Sequence, residues 1–270
     1  MIRLVHNTAC RSLRLFTFCA VVWCLASAMV PRATTIFLVG DSTMANKDTT
    51  GGKQERGWGM MLQACFDNRI RIDNHAVNGR SSLSFMNEGR WARVVEMIQP
   101  GDYVIIQFGH NDEKPKADRH TEPGSTFDAN LERYVRETRE RGGIPVLMNS
   151  VVRRNFPDDS DTLADTHGLY RVAPRQVAQR LHVHFVDANA ITHRLEQGMG
   201  REGSKRLHLW FAPGQEPSEP QGKQDNTHYN IYGATVVAQL LADALCEEVP
   251  VLKPFRVKRE AIGALTGPEE

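Results

Sequence analysis

Short runs of four to six residues, largely apolar except for the more polar Arg71–Ala76, recur along the chain at about Thr35–Val39, Arg71–Ala76, Tyr103–Phe108, Pro145–Asn149 and Val183–Val186. Each reads as a strand. Between them the apolar positions return every three or four residues, the period of a helix with one buried face. A helix-like run spans residues 58–66. Trp91, Val94, Val95 and Ile98 form one stripe, and Phe127, Leu131, Tyr134, Val135 and Thr138 another, which Gly142-Gly143 ends. Pro174 is expected to start or kink the helix that carries Val177 and Leu181. A last stripe holds Val236, Val237, Leu240, Leu241, Ala244 and Leu245, with its end marked by Pro250. Alternation of this kind predicts an α/β three-layer sandwich, a five-stranded parallel sheet between helices. The polar stretch from Phe211 to Asn226, rich in Pro, Gly and Gln, reads as one long loop, of the sort that is usually functional or disordered.

The length of 270 residues, with 41% hydrophobic and 24% charged, suits one large domain better than two small ones. Residues 1–28 read as a signal peptide. Arg3, Arg11 and Arg14 precede or flank an apolar run from Leu15 to Leu25, and Ala26-Ser27-Ala28 is a small-x-small cleavage signal. A membrane anchor would need about 18 apolar residues, which the run from Leu15 to Val30 does not reach. The expected organisation is therefore a leader at 1–28, a domain at 34–250 and a polar, partly ordered tail at 251–270, in a protein that is secreted or periplasmic and has no stable membrane association. Losing the leader removes three arginines and no acid, which takes the formal charge from +1 to −2 and gives no reason to expect a nucleic-acid partner. It also leaves two cysteines, Cys65 and Cys246. With strand order 2-1-3-4-5, right-handed crossovers put the first and last helices on one face, so these two are expected to lie close together without being bonded.

Four polar segments fall after predicted strands or just before the last helix: Gly40-Asp41-Ser42, Asn78-Gly79-Arg80-Ser81, Gly109-His110-Asn111-Asp112 and Asp225-Asn226-Thr227-His228. A doubly wound sheet gathers the carboxyl ends of its strands on one edge, where ligands bind. Together the segments hold what acyl transfer requires. Ser42 is a candidate nucleophile, which needs a base within hydrogen-bond reach. His228 is the candidate base, and Asp225 can accept from its other ring nitrogen. Backbone N–H groups of Ser42 and Gly79 and the side-chain amide of Asn111 are candidate oxyanion donors. Taken singly, a turn serine, a capping asparagine or an Asp-x-x-His is commonly structural. The four in topological order are far more specific. The absence of G-x-S-x-G excludes the nucleophile elbow of the α/β-hydrolases.

These blocks resemble those of the SGNH (GDSL-type) hydrolase superfamily. Within it the chain is similar to the rhamnogalacturonan acetylesterase family, through Gly57-Trp58-Gly59, residues 74–81, residues 106–112, Ser150-Val151-Val152-Arg153-Arg154 and residues 225–234. The likeness runs from about Thr34 to Glu247. It implies a flavodoxin-like SGNH fold and a serine esterase that takes O-acetyl groups from a plant cell-wall polysaccharide, rhamnogalacturonan first, with no metal and no other cofactor. The alternatives are an esterase of the same fold acting on acetylated xylan or another acyl ester, and a catalytically silent carbohydrate-binding protein. The superfamily's roles fall on Ser42, Asp225 and His228 as the triad and on Ser42, Gly79 and Asn111 as the oxyanion hole.

Basic residues cluster in the same loops: Arg80, Lys114, Lys116, Arg119, Arg153 and Arg154. They suit an acidic polymer, although acids beside them also suit ordinary solvated charge. Arg80, Arg153, His110 and Trp58 are the expected substrate-binding residues. Phe156, Trp210 and Phe211 are further candidates for stacking on sugar rings or for the core. His182-x-His184 lacks a carboxylate at metal-ligand spacing and reads as structural.

Overall fold

The computed structural model describes residues 32–257. The expected leader at 1–28, and the tail beyond residue 257, lie outside the described residues.

Five parallel strands form the main sheet: β1 (Thr34–Gly40), β2 (Ile70–Asn74), β3 (Tyr103–Gln107), β4 (Ile144–Met148) and β5 (His184–Val186). Their spatial order is 2-1-3-4-5, the order assumed in placing the two cysteines. Successive side chains of a strand point to opposite faces, and each face here has its own core. Ile36, Leu38, Ile105, Val146 and Met148 point to one. Phe37, Val39, Val104, Ile106 and Leu147 point to the other. The first face is covered by α1 (Trp58–Met61), α6 (Ala188–Gly203) and α7 (Ile231–Glu248). The second is covered by α2 (Ser82–Asn87), α3 (Arg90–Met97), α4 (Thr126–Glu140) and α5 (Leu169–Leu181). Among the described residues no helix is long and apolar enough to cross a membrane.

Several elements depart from the pattern-based expectation. The first helix is only one turn of α, and a 3₁₀ segment, Leu62–Cys65, continues it. Helix α5 begins at Leu169 and runs through Pro174 instead of starting there. Helix α6 does not stand out in the pattern, because its apolar stripe is thin and its start depends on the Asp187 side chain accepting from the Ala190 N–H. The supposed loop at 211–226 is largely a hairpin excursion. Its base is an antiparallel pair, β6 (His208–Phe211) and β7 (Lys223–Tyr229), so Asp225 to His228 lie on a strand. The first part of the expected tail is packed instead of loose: Pro250–Phe255 forms a 3₁₀ segment that buries Leu252.

Cys65 and Cys246 are both buried, as thiols, in the same core cluster, where the 3₁₀ segment meets α7. Burial raises the Cys246 thiol above its ordinary pKa, and the nearby Cys65 adds to the shift. Such groups pack as small apolar side chains.

Candidate active site

Ser42 sits in the tight turn that leaves β1. Asp41, wholly buried, shapes the turn: its Oδ1 accepts from the Thr43 N–H at 2.9 Å and the Thr43 hydroxyl at 2.8 Å. Burial raises the Asp41 pKa, a shift opposed by the Thr43 donors and by His228. The turn is backed by Gly57-Trp58-Gly59. The Trp58 N–H donates to the Thr43 carbonyl at 2.9 Å, and its indole N–H donates to Gln107 Oε1 at 2.9 Å on neighbouring β3. Trp58 has no exposed surface, so its expected place against a sugar ring is corrected: it is the support on which the Ser42 turn rests.

Gly57 makes that support possible. Its backbone is ordinary extended chain, but a Cβ there would lie 2.2 Å from the Ala45 carbonyl oxygen and 2.5 Å from the Met44 carbonyl carbon. Gly57→Ala must therefore push two backbone segments apart. Overpacking of this kind costs about 1–3 kcal/mol. Thermal melting should show a drop of several degrees, and an unchanged melting temperature would contradict the close approach.

His228 reaches Ser42 from β7. Its Nε2 lies 2.9 Å from Ser42 Oγ, and its Nδ1 lies 2.8 Å from Asp225 Oδ2. The other Asp225 oxygen accepts from the backbone N–H groups of Thr227 at 2.7 Å and His228 at 2.9 Å. Burial alone would raise the Asp225 pKa. The donors from His228 and Thr227 outweigh it and hold the carboxyl well below the usual carboxylate range. An ionised Asp225 fixes a proton on Nδ1, which leaves Nε2 free to accept from the serine hydroxyl.

The ladder shows how β7 presents this pair. Leu209 pairs with Asp225 but His208 pairs with Tyr229, so one step along β6 faces four along β7. Asn226, Thr227 and His228 are thus an extra loop in the strand, a bulge that aims the imidazole out of the ladder. Arg154 braces it. The Arg154 N–H donates to the Asn226 carbonyl at 2.8 Å, and its guanidinium donates to Asn226 Oδ1 at 3.0 Å. Trp210 donates its indole N–H to the same Oδ1 at 2.9 Å. Arg154 is itself buried, donating to Ser204 Oγ at 3.0 Å and to the Arg201 carbonyl. It was expected among the solvent-facing cations of the edge loops. Nothing local to the Arg153-Arg154 pair distinguishes the buried arginine from the half-exposed one.

Gly79 follows β2 at φ +74°, a left-handed conformation that suits glycine, and a Cβ there would meet only the guanidinium end of Arg119, at 3.9 Å. Asn111 follows β3 and is buried. Its Nδ2 donates to the Arg80 carbonyl at 3.1 Å, and its Oδ1 accepts from Lys114 Nζ at 2.9 Å. One N–H of that amide therefore remains for another acceptor. Next in the block, buried Asp112 accepts from the Ser82 N–H and hydroxyl and from Thr121, tying the loop to α2. Burial pushes its pKa up to about 7, although those donors pull the other way.

His110 is a second correction. It is 2% exposed, so it has no face for a polymer. Its ring meets His167 edge-on at 4.5 Å. Burial, then the charge of His167 and Arg153, lowers its pKa well below the ordinary imidazole value and keeps it neutral. The two expected arginines stay at the surface with acid partners. Arg80 pairs with Glu88 at 3.0 Å, and Arg153 pairs with Glu113, which also lies 3.1 Å from His167 Nδ1. Arg119 likewise pairs with Asp118 at 3.0 Å. The edge is less positive than a count of its cations suggests. Of the expected stacking residues, Phe156 is buried beside Arg154, whereas Trp210 and Phe211 are partly exposed. His184 pairs with Glu248 at 3.1 Å, consistent with a structural role.

The chain is similar to known proteins over most of its length. The model of the GDSL-like Lipase/Acylhydrolase family matches residues 38–236. Rhamnogalacturonan acetylesterase RhgT of Bacillus subtilis (strain 168) is 40% identical over 232 residues, spanning 86% of this chain and 98% of that one. The rhamnogalacturonan acetylesterase of Emericella nidulans is 30% identical over 233 residues, 79% of this chain and 85% of that one. Among solved structures, protein YxiM of Bacillus subtilis superposes with a TM-score of 0.69 at 24% identity, over 83% of this chain and 58% of that one. Axe2, an acetylxylan esterase from Geobacillus stearothermophilus, does so with a TM-score of 0.53 at 19% identity, over 82% of this chain and 95% of that one. These two structural likenesses bear on the fold alone.

Proposed function

The chain belongs to the GDSL-like lipase/acylhydrolase family, and from that premise we propose that it is an exported serine esterase that removes O-acetyl groups from rhamnogalacturonan. The observation that carries the chemistry is the unbroken chain Ser42 Oγ, His228 Nε2, His228 Nδ1, Asp225 Oδ2, with links of 2.9 and 2.8 Å. The similarity to two rhamnogalacturonan acetylesterases supports the substrate. The charged leader with its small-x-small end supports export.

In this reading Ser42 Oγ attacks the acetyl carbonyl while His228 Nε2 takes the hydroxyl proton. Asp225 stabilises the imidazolium that forms. The oxyanion is received by the N–H groups of Ser42 and Gly79 and by the uncommitted N–H of Asn111. The imidazolium then gives its proton to the sugar oxygen as the C–O bond breaks, which leaves an acetyl ester on Ser42. A water, deprotonated by the same His228, attacks that ester, and the imidazolium returns the proton to Ser42 Oγ as the acyl bond breaks and acetate leaves. Arg80 and Arg153 are proposed to meet substrate at the rim.

Acetate release from acetylated rhamnogalacturonan, homogalacturonan and xylan tests the assignment. Rhamnogalacturonan is expected to be turned over fastest. A preference for xylan would overturn the substrate, and no release from any ester would overturn the activity. Asn111→Ala should lower turnover by a factor of about 10² to 10³ with little change in KM, because the oxyanion exists only in the transition state. A variant that raised KM alone would instead make Asn111 a substrate-binding residue.

A further inference from the structure

Beside the bulge of β7 lies an open recess of about 320 Å³. Its walls come from the 3₁₀ segment Ser204–Leu207, from β6 and from the start of α7. Three aromatic rings line it, Trp210, Phe211 and Tyr232, together with Lys205, Arg206 and Asn230. The acyl-transfer chemistry uses none of these side chains.

Two cations stand in the recess, each over an aromatic face. Lys205 Nζ lies 4.7 Å from the centre of the Trp210 ring, and the Arg206 guanidinium carbon lies 5.6 Å from that of Tyr232. Lys205 also meets Glu202 at 2.7 Å, but that carboxylate is largely in solvent. A surface pair of this kind is worth little and exchanges readily for another anion. Asn230 holds the walls together, its amide donating to the carbonyls of Arg206 at 2.9 Å and His208 at 2.8 Å. The far wall is continuous with the site already described, because the Trp210 indole N–H that braces Asn226 belongs to the same ring.

We propose that this recess is a second carbohydrate site, one that binds a uronate residue of the polymer. The proposal rests on the polysaccharide reading above. The sugar carboxylate lies against Lys205 and Arg206, where charge-assisted hydrogen bonds are strongest. The C–H face of the pyranose lies on Phe211 and Tyr232. A neutral sugar has no use for the two cations, and a small inorganic anion has no use for the rings. Binding a uronate here gives the polymer a second contact beside the acetyl-bearing residue. A long chain then gains affinity that a short ester does not.

Linear trigalacturonate carries no acetyl ester, so its binding is read by calorimetry without turnover. It is expected to bind the wild-type protein at least tenfold more tightly than xylotriose. The double variant Lys205→Ala/Arg206→Ala, and separately Tyr232→Leu, should each weaken trigalacturonate at least tenfold. If Tyr232→Leu lowers the melting temperature, the double variant, which changes surface side chains only, decides. Absence of wild-type binding, equal binding of xylotriose, or binding unchanged in the double variant would overturn the site. Failure of the polysaccharide reading looks different: trigalacturonate still binds through these residues, yet no acetylated pectin releases acetate.

Discussion

Ser42→Ala is expected to abolish acetyl-ester hydrolysis, by a factor of about 10⁴ to 10⁶, and to leave the fold unchanged. The hydroxyl oxygen is the atom to which the acetyl group would be transferred, and alanine offers no substitute. The turn does not need it. Asp41 shapes that turn through Thr43, and Trp58 supports it from beneath. Melting temperature and circular dichroism should therefore match the wild type while acetate release disappears. Activity above about 1% of wild type in a clean preparation would remove Ser42 from its proposed role.

The second large effect is expected from Asp225→Asn, a loss of about 10⁴ in kcat. The amide is the same size, and its oxygen can still accept from the Thr227 and His228 N–H groups, so the bulge keeps its shape. What changes is the partner of Nδ1. An amide NH₂ donates to that nitrogen and drives the ring proton to Nε2, where the ring can no longer accept from Ser42. A variant that kept a tenth of wild-type kcat would show that tautomer control is not Asp225's task. The depressed pKa of Asp225 also has a sign. A carboxyl lowered on folding contributes stability above its unfolded pKa, and the contribution is lost only as pH falls through the lowered folded value. Asp225 should thus stay ionised throughout the mildly acidic range. Any acid limb of the rate profile there belongs to another group.

The sheet was legible because its three central strands, β1, β3 and β4, are buried on both faces. A run such as Ile36-Phe37-Leu38-Val39 can satisfy two cores only as a central strand. The four polar blocks were legible because topology gathers the strand ends, and the structure does bring Ser42, Asp225 and His228 into one hydrogen-bonded row. What the pattern missed has tertiary causes. Lys223–Tyr229 is polar and does not alternate, so it looks like loop. Its strand character comes from β6, and its bulge from Arg154, 72 residues earlier in the chain. Trp58 and His110 look like ligand contacts because aromatic and polar residues beside the carboxyl edge of such a sheet so often are. Trp58 is buried because Gln107 satisfies its indole N–H. The burial of His110 depends on the packing of His167, brought in from the loop before α5.

The hairpin has a consequence for how this site can be altered. Trp210 pairs with Gln224, and Phe211 with Lys223, so the chain is closed before it reaches Asp225. Everything between, residues 212–222, hangs beyond that closure and is mostly exposed. Loop length beyond a closed pair carries only a slowly growing entropic cost. This segment is therefore a natural graft point. It can be lengthened, shortened or exchanged with that of a relative, while His228 stays registered to Ser42 by bonds the graft does not touch. A shortened segment that impaired turnover of a small acetate ester would contradict this separation.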